Sequence, residues 1–162
     1  MTKKFRAHVK SVLESIISNE QSLTQMDAAV GDGDLGIGAT RSGKLVLAII
    51  NNLDFQNNLS GSVMKMSDVW SDGFGGSSGP LWGSFFSRAA AKLSTKLAEN
   101  TKETWMAAYQ EGVKAMMECG GAQPGDRTMI DALHEGSEAL KASPDSYGAL
   151  SEAVRSGADK AA

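Results

Sequence analysis

The chemistry-bearing stretch of this chain is Met26-Asp27-Ala28-Ala29-Val30-Gly31-Asp32-Gly33-Asp34-Leu35-Gly36-Ile37-Gly38. Its three aspartates would not share one face of a helix. At about 100° per residue, Asp32 and Asp34 fall about 200° apart. Gly31 and Gly33 interrupt the helix and free the backbone. Asp27 can then point from the last helical turn toward Asp32 and Asp34 in the loop. Converging carboxylates repel, by about 1 kcal/mol per pair at about 4 Å in water and about 4 kcal/mol at an effective dielectric of 20. Either one of them takes a proton or a cation sits among them. A hard cation with oxygen ligands suits the set, and Mg²⁺ typically joins such carboxylates to substrate phosphates. Gly36 and Gly38 follow at a helix N-terminus, where backbone N–H groups favour anions. The loop reads as a metal–phosphate site, with a solvated acidic turn as the plain alternative.

Three familiar motifs are excluded. Gly31-x-Gly33-x-x-Gly36 matches a dinucleotide fingerprint by letter, but a helix precedes it where that motif needs a strand. Gly38-x4-Gly43-Lys44-Leu45 approaches a P-loop, yet Leu45 stands where Ser or Thr would bind magnesium. An EF-hand starting at Asp32 would need Gly at Ile37 and Glu at Gly43.

Two further glycine patches follow. Gly73-Phe74-Gly75-Gly76-Ser77-Ser78-Gly79-Pro80-Leu81-Trp82-Gly83 leads into a helix, and its hydroxyls and free N–H groups make an anion seat. Gly120-Gly121-Ala122-Gln123-Pro124-Gly125-Asp126-Arg127-Thr128-Met129 supplies a charge pair and another helix start, with glycines that could admit a flat ring. Twelve of the eighteen glycines lie in these three patches. Such clustering suggests one site built from several loops.

The elements between the patches read as helices. Phe5, Val9, Val12, Leu13, Ile16 and Ile17 give a first amphipathic helix. Ser22 and Gln25 resemble a capping box opening a short second helix with Leu23, Met26 and Val30. A third carries Leu45, Val46, Ile49, Ile50 and Leu53, and a fourth Val63, Met66, Val69 and Trp70. A long fifth runs from Leu81 to Leu97. Trp105 to Met117 make a sixth. A seventh, with Met129, Ile130, Leu133 and Leu140, follows Asp126 as N-cap. Ser143-Pro144 opens an eighth with Leu150 and Val154. No segment alternates as a strand does. The eight methionines and the Trp82, Phe85 and Phe86 cluster read as core filling. The expected fold is all-α, an antiparallel helical barrel or bundle of about seven to eight helices, with the glycine-rich loops forming one site at one end.

Composition narrows the function. The chain has 162 residues, one domain's worth. Sixteen Lys and Arg against nineteen Asp and Glu leave a net charge of −3, which argues against nucleic-acid binding through phosphates. A single cysteine, Cys119, excludes a disulfide framework and fits a reducing compartment. No apolar run approaches a membrane span of roughly 18–20 residues. The basic N-terminus has no apolar segment behind it, so no signal peptide is read. The expectation is a cytoplasmic protein with neither a nucleic-acid nor a membrane partner.

The three patches, in this order, resemble the three signatures of the nucleotide-binding L domain of dihydroxyacetone kinases. They are Asp27-x4-Asp32-x-Asp34-x-Gly36, Gly75-Gly76-Ser77-Ser78-Gly79-Pro80-Leu81-Trp82-Gly83, and Pro124-Gly125-Asp126-Arg127-Thr128-Met129. The match runs roughly from Leu23 to Leu140. The resemblance implies that Asp27, Asp32 and Asp34 hold two Mg²⁺ ions bridging the phosphates of ATP or ADP. It places Leu35, Gly36, Ile37 and Gly38 against those phosphates, with Ser77 and Ser78 capping them. Gly120, Thr128 and Met129 would line the nucleoside.

In that family a short ketose is held through a histidine on a separate K domain, and no catalytic residue is expected in this chain. His8 and His134 read as ordinary helical residues. The family has two versions. In one, ATP is the exchangeable donor; in the other, a bound ADP is recharged by a phosphocarrier protein. Leu35 stands where the family commonly has a polar residue, so any phosphate contact there would come from the backbone. The Gly-Arg-Ala-Ser-like segment and the Asp-Pro-Gly loop that close over the nucleotide are not found before Ala162. Residues 1–162 are therefore expected to be a single L-type domain lacking that closing segment. Two other readings stay open. One is a non-catalytic nucleotide-binding regulatory relative. The other is a helical interaction domain whose acidic loop holds calcium or water.

Overall fold

The computed structural model describes residues 2–142 and 147–161. Eight α-helices are found among them: α1 (Thr2–Ser18), α2 (Glu20–Ala28), α3 (Leu35–Ile49), α4 (Leu59–Phe74), α5 (Ser78–Lys92), α6 (Lys102–Gly120), α7 (Met129–Ala142) and α8 (Tyr147–Ala161). No strand occurs among the described residues. Each helix packs on the next in sequence from α2 through α7, and α1 lies on α3. This is the all-α architecture expected from the hydrophobic periodicity.

Two apolar clusters hold the helices. The larger gathers Leu13, Val46, Ile50, Phe55, Leu59, Trp70, Phe74 and Leu93 among its buried members. The smaller joins α5, α6 and α7 through Phe85, Val113, Met116 and Ile130. Trp82 stacks on Phe86 at 5.8 Å, and the edge of Phe85 meets Tyr109 at 5.8 Å. Burial pushes the Tyr109 phenol up to about 12. The aromatic cluster is therefore core, as its spacing implied.

Several local expectations are corrected. Helix α5 stops at Lys92, short of Leu97. Leu93 is extended, at φ −81° and ψ 140°. Tertiary hydrogen bonds compete with the helix there. The Leu59 N–H donates to the Thr95 carbonyl at 2.6 Å, and the Leu97 N–H to Gln56 at 3.1 Å. Asn100 adds side-chain bonds to Ser94 and Lys96. Both leucines are nonetheless buried.

Ser22 does not cap α2, which begins at Glu20 after Asn19. Its hydroxyl instead lies 4.0 Å from the Met26 sulfur. Val12, Met26, Val30 and Leu45, assigned by periodicity to apolar stripes, are exposed. Helix α2 buries no residue fully, so its apolar spacing marks no deep core face. The expected cap at Ser143-Pro144 lies outside the described residues.

Phe55 is the largest fully buried side chain. The Phe5 ring meets it edge-on at 5.3 Å, and the Arg6 guanidinium lies 5.6 Å from its centroid. The Arg6 fork also donates to the Leu53 carbonyl at 2.7 Å. Phe55→Ala is expected to lower unfolding free energy by about 3–5 kcal/mol in a urea titration, the usual cost of emptying such a site. A loss below about 1 kcal/mol would show that the segment after α3 is not part of the main core.

Candidate metal and phosphate site

The acidic loop closes onto itself. Asp27 lies in the last turn of α2, and its carbonyl accepts from the N–H groups of Val30 at 3.0 Å and Gly31 at 2.6 Å. Its carboxylate accepts from the Leu35 N–H at 3.2 Å. That N–H is in the first turn of α3, where no intrahelical partner exists. Gly33 turns the chain at φ 75°. The loop from Ala28 to Asp34 is thereby tied to Asp27 at both ends. One carboxylate oxygen from each of Asp27, Asp32 and Asp34 lies within 4.8 Å of the others. Asp27 is half-buried, and Asp32 and Asp34 are exposed, so the cluster sits on an open face.

Like charge dominates the electrostatics. The neighbouring Asp32 carboxylate, and then some desolvation and Asp27, push the Asp34 carboxyl above its usual range, while Arg41 acts in the opposite direction. Three hard oxygen donors in mutual repulsion fit a divalent cation such as Mg²⁺, whose charge would relieve that repulsion.

The next four candidates form the first turn of α3. Leu35 is half-buried and Ile37 is exposed. Gly36 is packed against α2, where a β carbon would come within 2.2 Å of the Glu20 carbonyl oxygen. At Gly38 it would come within 2.6 Å of the Phe74 carbonyl oxygen at the end of α4. Both glycines therefore have a packing requirement of their own, because any side chain would drive α3 off its neighbours.

The second patch reaches the first. After α4 the chain turns through Gly75 and Gly76, at φ 78° and 55°. A β carbon on Gly76 would lie 3.9 Å from an Asp34 carboxylate oxygen. Ser77 follows directly and Ser78 begins α5, so the two hydroxyl residues come one and two positions after the glycine that borders Asp34. The third patch meets the second from the other side. Gly120, the last residue of α6, leaves room for Leu81, whose methyl would lie 2.8 Å from a β carbon there. Gly121 ends the helix in the left-handed conformation. The start of α7 is seated through Ile130 on the cluster that Leu81 joins. Thr128 is half-buried there, and Met129 is exposed as the first residue of α7.

Asp126 does not cap α7. Its carboxylate accepts from the Gln123 N–H at 2.8 Å and so closes the preceding turn. The cap is a Thr128–Asp131 box. The Thr128 hydroxyl accepts from the Ile130 N–H at 3.1 Å, and Asp131 accepts from the Thr128 N–H at 2.8 Å. Asp131 also accepts from the Gly125 N–H at 2.6 Å. A threonine followed three residues on by an acid was the signal for it. The sequence reading also missed Arg41. Its Nε donates to the Gly73 carbonyl and its terminal nitrogen donates to Phe74 at 2.8 Å. A lone arginine inside a helix gave no sign of this bond pattern.

Comparison with known proteins places the fold in a family. The DAK2 domain model matches residues 29–162. The chain belongs to the DAK2 domain family. It is 33% identical over 159 residues to the human triokinase/FMN cyclase, covering 96% of this chain and 27% of that protein. It is 33% identical over 153 residues to the dihydroxyacetone kinase of Citrobacter freundii, covering 94% of this chain and 27% of that one. A crystal structure of the C. freundii kinase in complex with AMP-PNP and Mg²⁺ superposes with a TM-score of 0.82 at 32% identity, over 96% of this chain and 28% of that chain. The chain thus spans about a quarter of the length of these relatives. The L-domain resemblance and the helical fold both hold.

Hydrogen bonds from Thr128, then Gly125, hold the Asp131 carboxyl below its usual 3.8. A depressed folded-state pKa contributes stability that is present above the unfolded value and lost as pH falls through the folded one. Asp131→Asn is therefore expected to lower Tm at pH 7, with the gap to wild type closing as pH drops below 3.8. A gap independent of pH in thermal melts would show that the carboxylate's charge is not what holds the turn.

Proposed function

We propose that residues 1–162 form a single L-type domain serving as the Mg²⁺-dependent, nucleotide-binding half of a dihydroxyacetone-type kinase. The observation that carries this reading is the convergence of Asp27, Asp32 and Asp34 within 4.8 Å. It is supported by the likeness to a kinase crystallised with AMP-PNP and Mg²⁺. The three aspartates would hold two Mg²⁺ ions, which neutralise phosphate charge and orient the phosphoryl group. The first turn of α3, from Leu35 to Gly38, would lie along the phosphates of ATP or ADP. Ser77 and Ser78 would donate hydroxyl hydrogen bonds from the second turn. Gly120, Thr128 and Met129 would line the nucleoside. Phosphoryl transfer in this class is mostly positioning and charge stabilisation, so a chain without its own nucleophile can contribute half the site.

The remainder would come from a K-type subunit or domain that holds a short sugar through a histidine. The donor is either exchangeable ATP or a bound ADP recharged by a phosphocarrier protein. The same reading places the protein in the cytoplasm. Among the described residues, no helix is long and apolar enough to cross a membrane.

One observation favours a second reading. Leu35 has no polar side chain, and its N–H is already directed at Asp27. One phosphate donor is thereby withdrawn, as in a regulatory relative that binds nucleotide without transferring from it. Supplying an active K partner separates the two readings, since only the first gives phosphorylated sugar.

The binding step is tested by calorimetric titration of ADP and ATP with and without Mg²⁺. Wild type is expected to bind only with the metal, and Asp32→Ala to bind at least about tenfold more weakly, a change of about 1.4 kcal/mol. Absence of binding by folded wild-type protein would sink the nucleotide-site reading.

A further inference from the structure

Arg41 lies between the acidic loop and the second glycine turn. Helix α4 ends at Phe74, and the last carbonyls of a helix lack partners within it. The Arg41 fork supplies them, through Nε to Gly73 and a terminal nitrogen to Phe74 at 2.8 Å. Its charge also complements the negative end of the helix. A lysine cannot make this planar two-point contact.

The same guanidinium touches both sides of the junction. A β carbon on Gly75 would lie 3.0 Å from its terminal nitrogen. The next residue, Gly76, borders Asp34 at 3.9 Å by the same measure. Arg41 also acts electrostatically on Asp34 directly. One turn earlier on α3, Gly38 abuts the Phe74 carbonyl. Just after it, the Ser42 hydroxyl donates to Trp70 at 2.8 Å. Helix α3 is thus clamped to the end of α4 over a full turn, and Arg41 brings a positive charge to the clamp.

We propose that Arg41 is a positioning residue. By holding the carbonyl end of α4, it sets the separation between the aspartate loop and the Ser77–Ser78 turn, so that both can engage one metal-bound phosphate group. The inference rests on the nucleotide-site reading above. It has a consequence that general destabilisation lacks. Arg41 is a cation one glycine removed from Asp34, and its charge reaches that carboxylate, so its removal favours a divalent ion there. The same removal frees the second turn and weakens the grip on phosphate. The two affinities move in opposite directions, whereas a loosened fold would weaken both.

The experiment measures Mn²⁺ alone by electron paramagnetic resonance and ADP with Mg²⁺ by calorimetry. It uses wild type, Arg41→Met and Arg41→Lys, each checked by a thermal melt. Arg41→Met is expected to bind Mn²⁺ as tightly as wild type or more tightly, and ADP at least about tenfold more weakly. Arg41→Lys, which keeps the charge, is expected to lose ADP affinity with Mn²⁺ affinity unchanged, and it carries the test if the Met variant fails to fold. Wild-type ADP affinity in either folded variant overturns the proposal, as does a parallel loss of both ligands. Wild type that binds Mn²⁺ but no ADP overturns the nucleotide-site reading itself, and this inference with it.

Discussion

Three carboxylates within 4.8 Å are the constraint around which this end of the molecule is organised. Left to itself, such a loop would swing its charges apart. Each pair at about 4 Å repels by about 1–4 kcal/mol, depending on the local dielectric. The loop stays closed because its ends are tied to one residue. Asp27 accepts from Gly31 through its carbonyl and from Leu35 through its side chain. The second bond does two things. It satisfies an N–H that the start of α3 leaves open, and it directs an anion toward the positive end of that helix.

The remaining geometry follows from how closely the helices approach that loop. Gly36 lets α3 meet α2 backbone to backbone, and Gly38 does the same against the end of α4. Even an alanine methyl at either position would collide with a carbonyl oxygen. These contacts bring the turn after α4 against Asp34. The aromatic cluster of α5 and α6 then seats the third patch against the second, through Leu81 and Gly120. Glycine, the residue that made the sequence unusual, serves here in packing as much as in turns.

The helices were legible in the sequence because their apolar residues recur at a helical period, and the long runs around Val46, Trp70, Phe85 and Met116 are buried. Convergence of the aspartates was legible as well, since the two glycines free the loop to bring the three acids together. What escaped was decided between segments distant in sequence. The end of α5 is set by the bonds that Thr95 accepts from Leu59 and Leu97 donates to Gln56, which no local pattern announces. Met26 is exposed because α2 buries no residue fully, and Val30 because it falls in the turn after α2 ends at Ala28. Asp126 stood as the cap of α7, but the Thr128–Asp131 pair closes that helix and Asp126 closes the turn before it. Arg41 shows its purpose only once the carbonyls of Gly73 and Phe74 are beside it.

Charge balance connects these features to the proposed chemistry. Three carboxylates and one guanidinium leave two formal negative charges at the junction, enough to match a single divalent cation. A second cation would find no uncompensated charge within this set of four groups. In the proposed reading it must therefore arrive with charge of its own to neutralise, such as that of a di- or triphosphate. The Asp34 carboxyl, raised by its acidic neighbours and lowered by Arg41, lies where the two influences meet. An open face with two exposed aspartates suits that arrangement better than a closed pocket. In the proposed reading, the three aspartates would supply part of the ligand set and the nucleotide the rest.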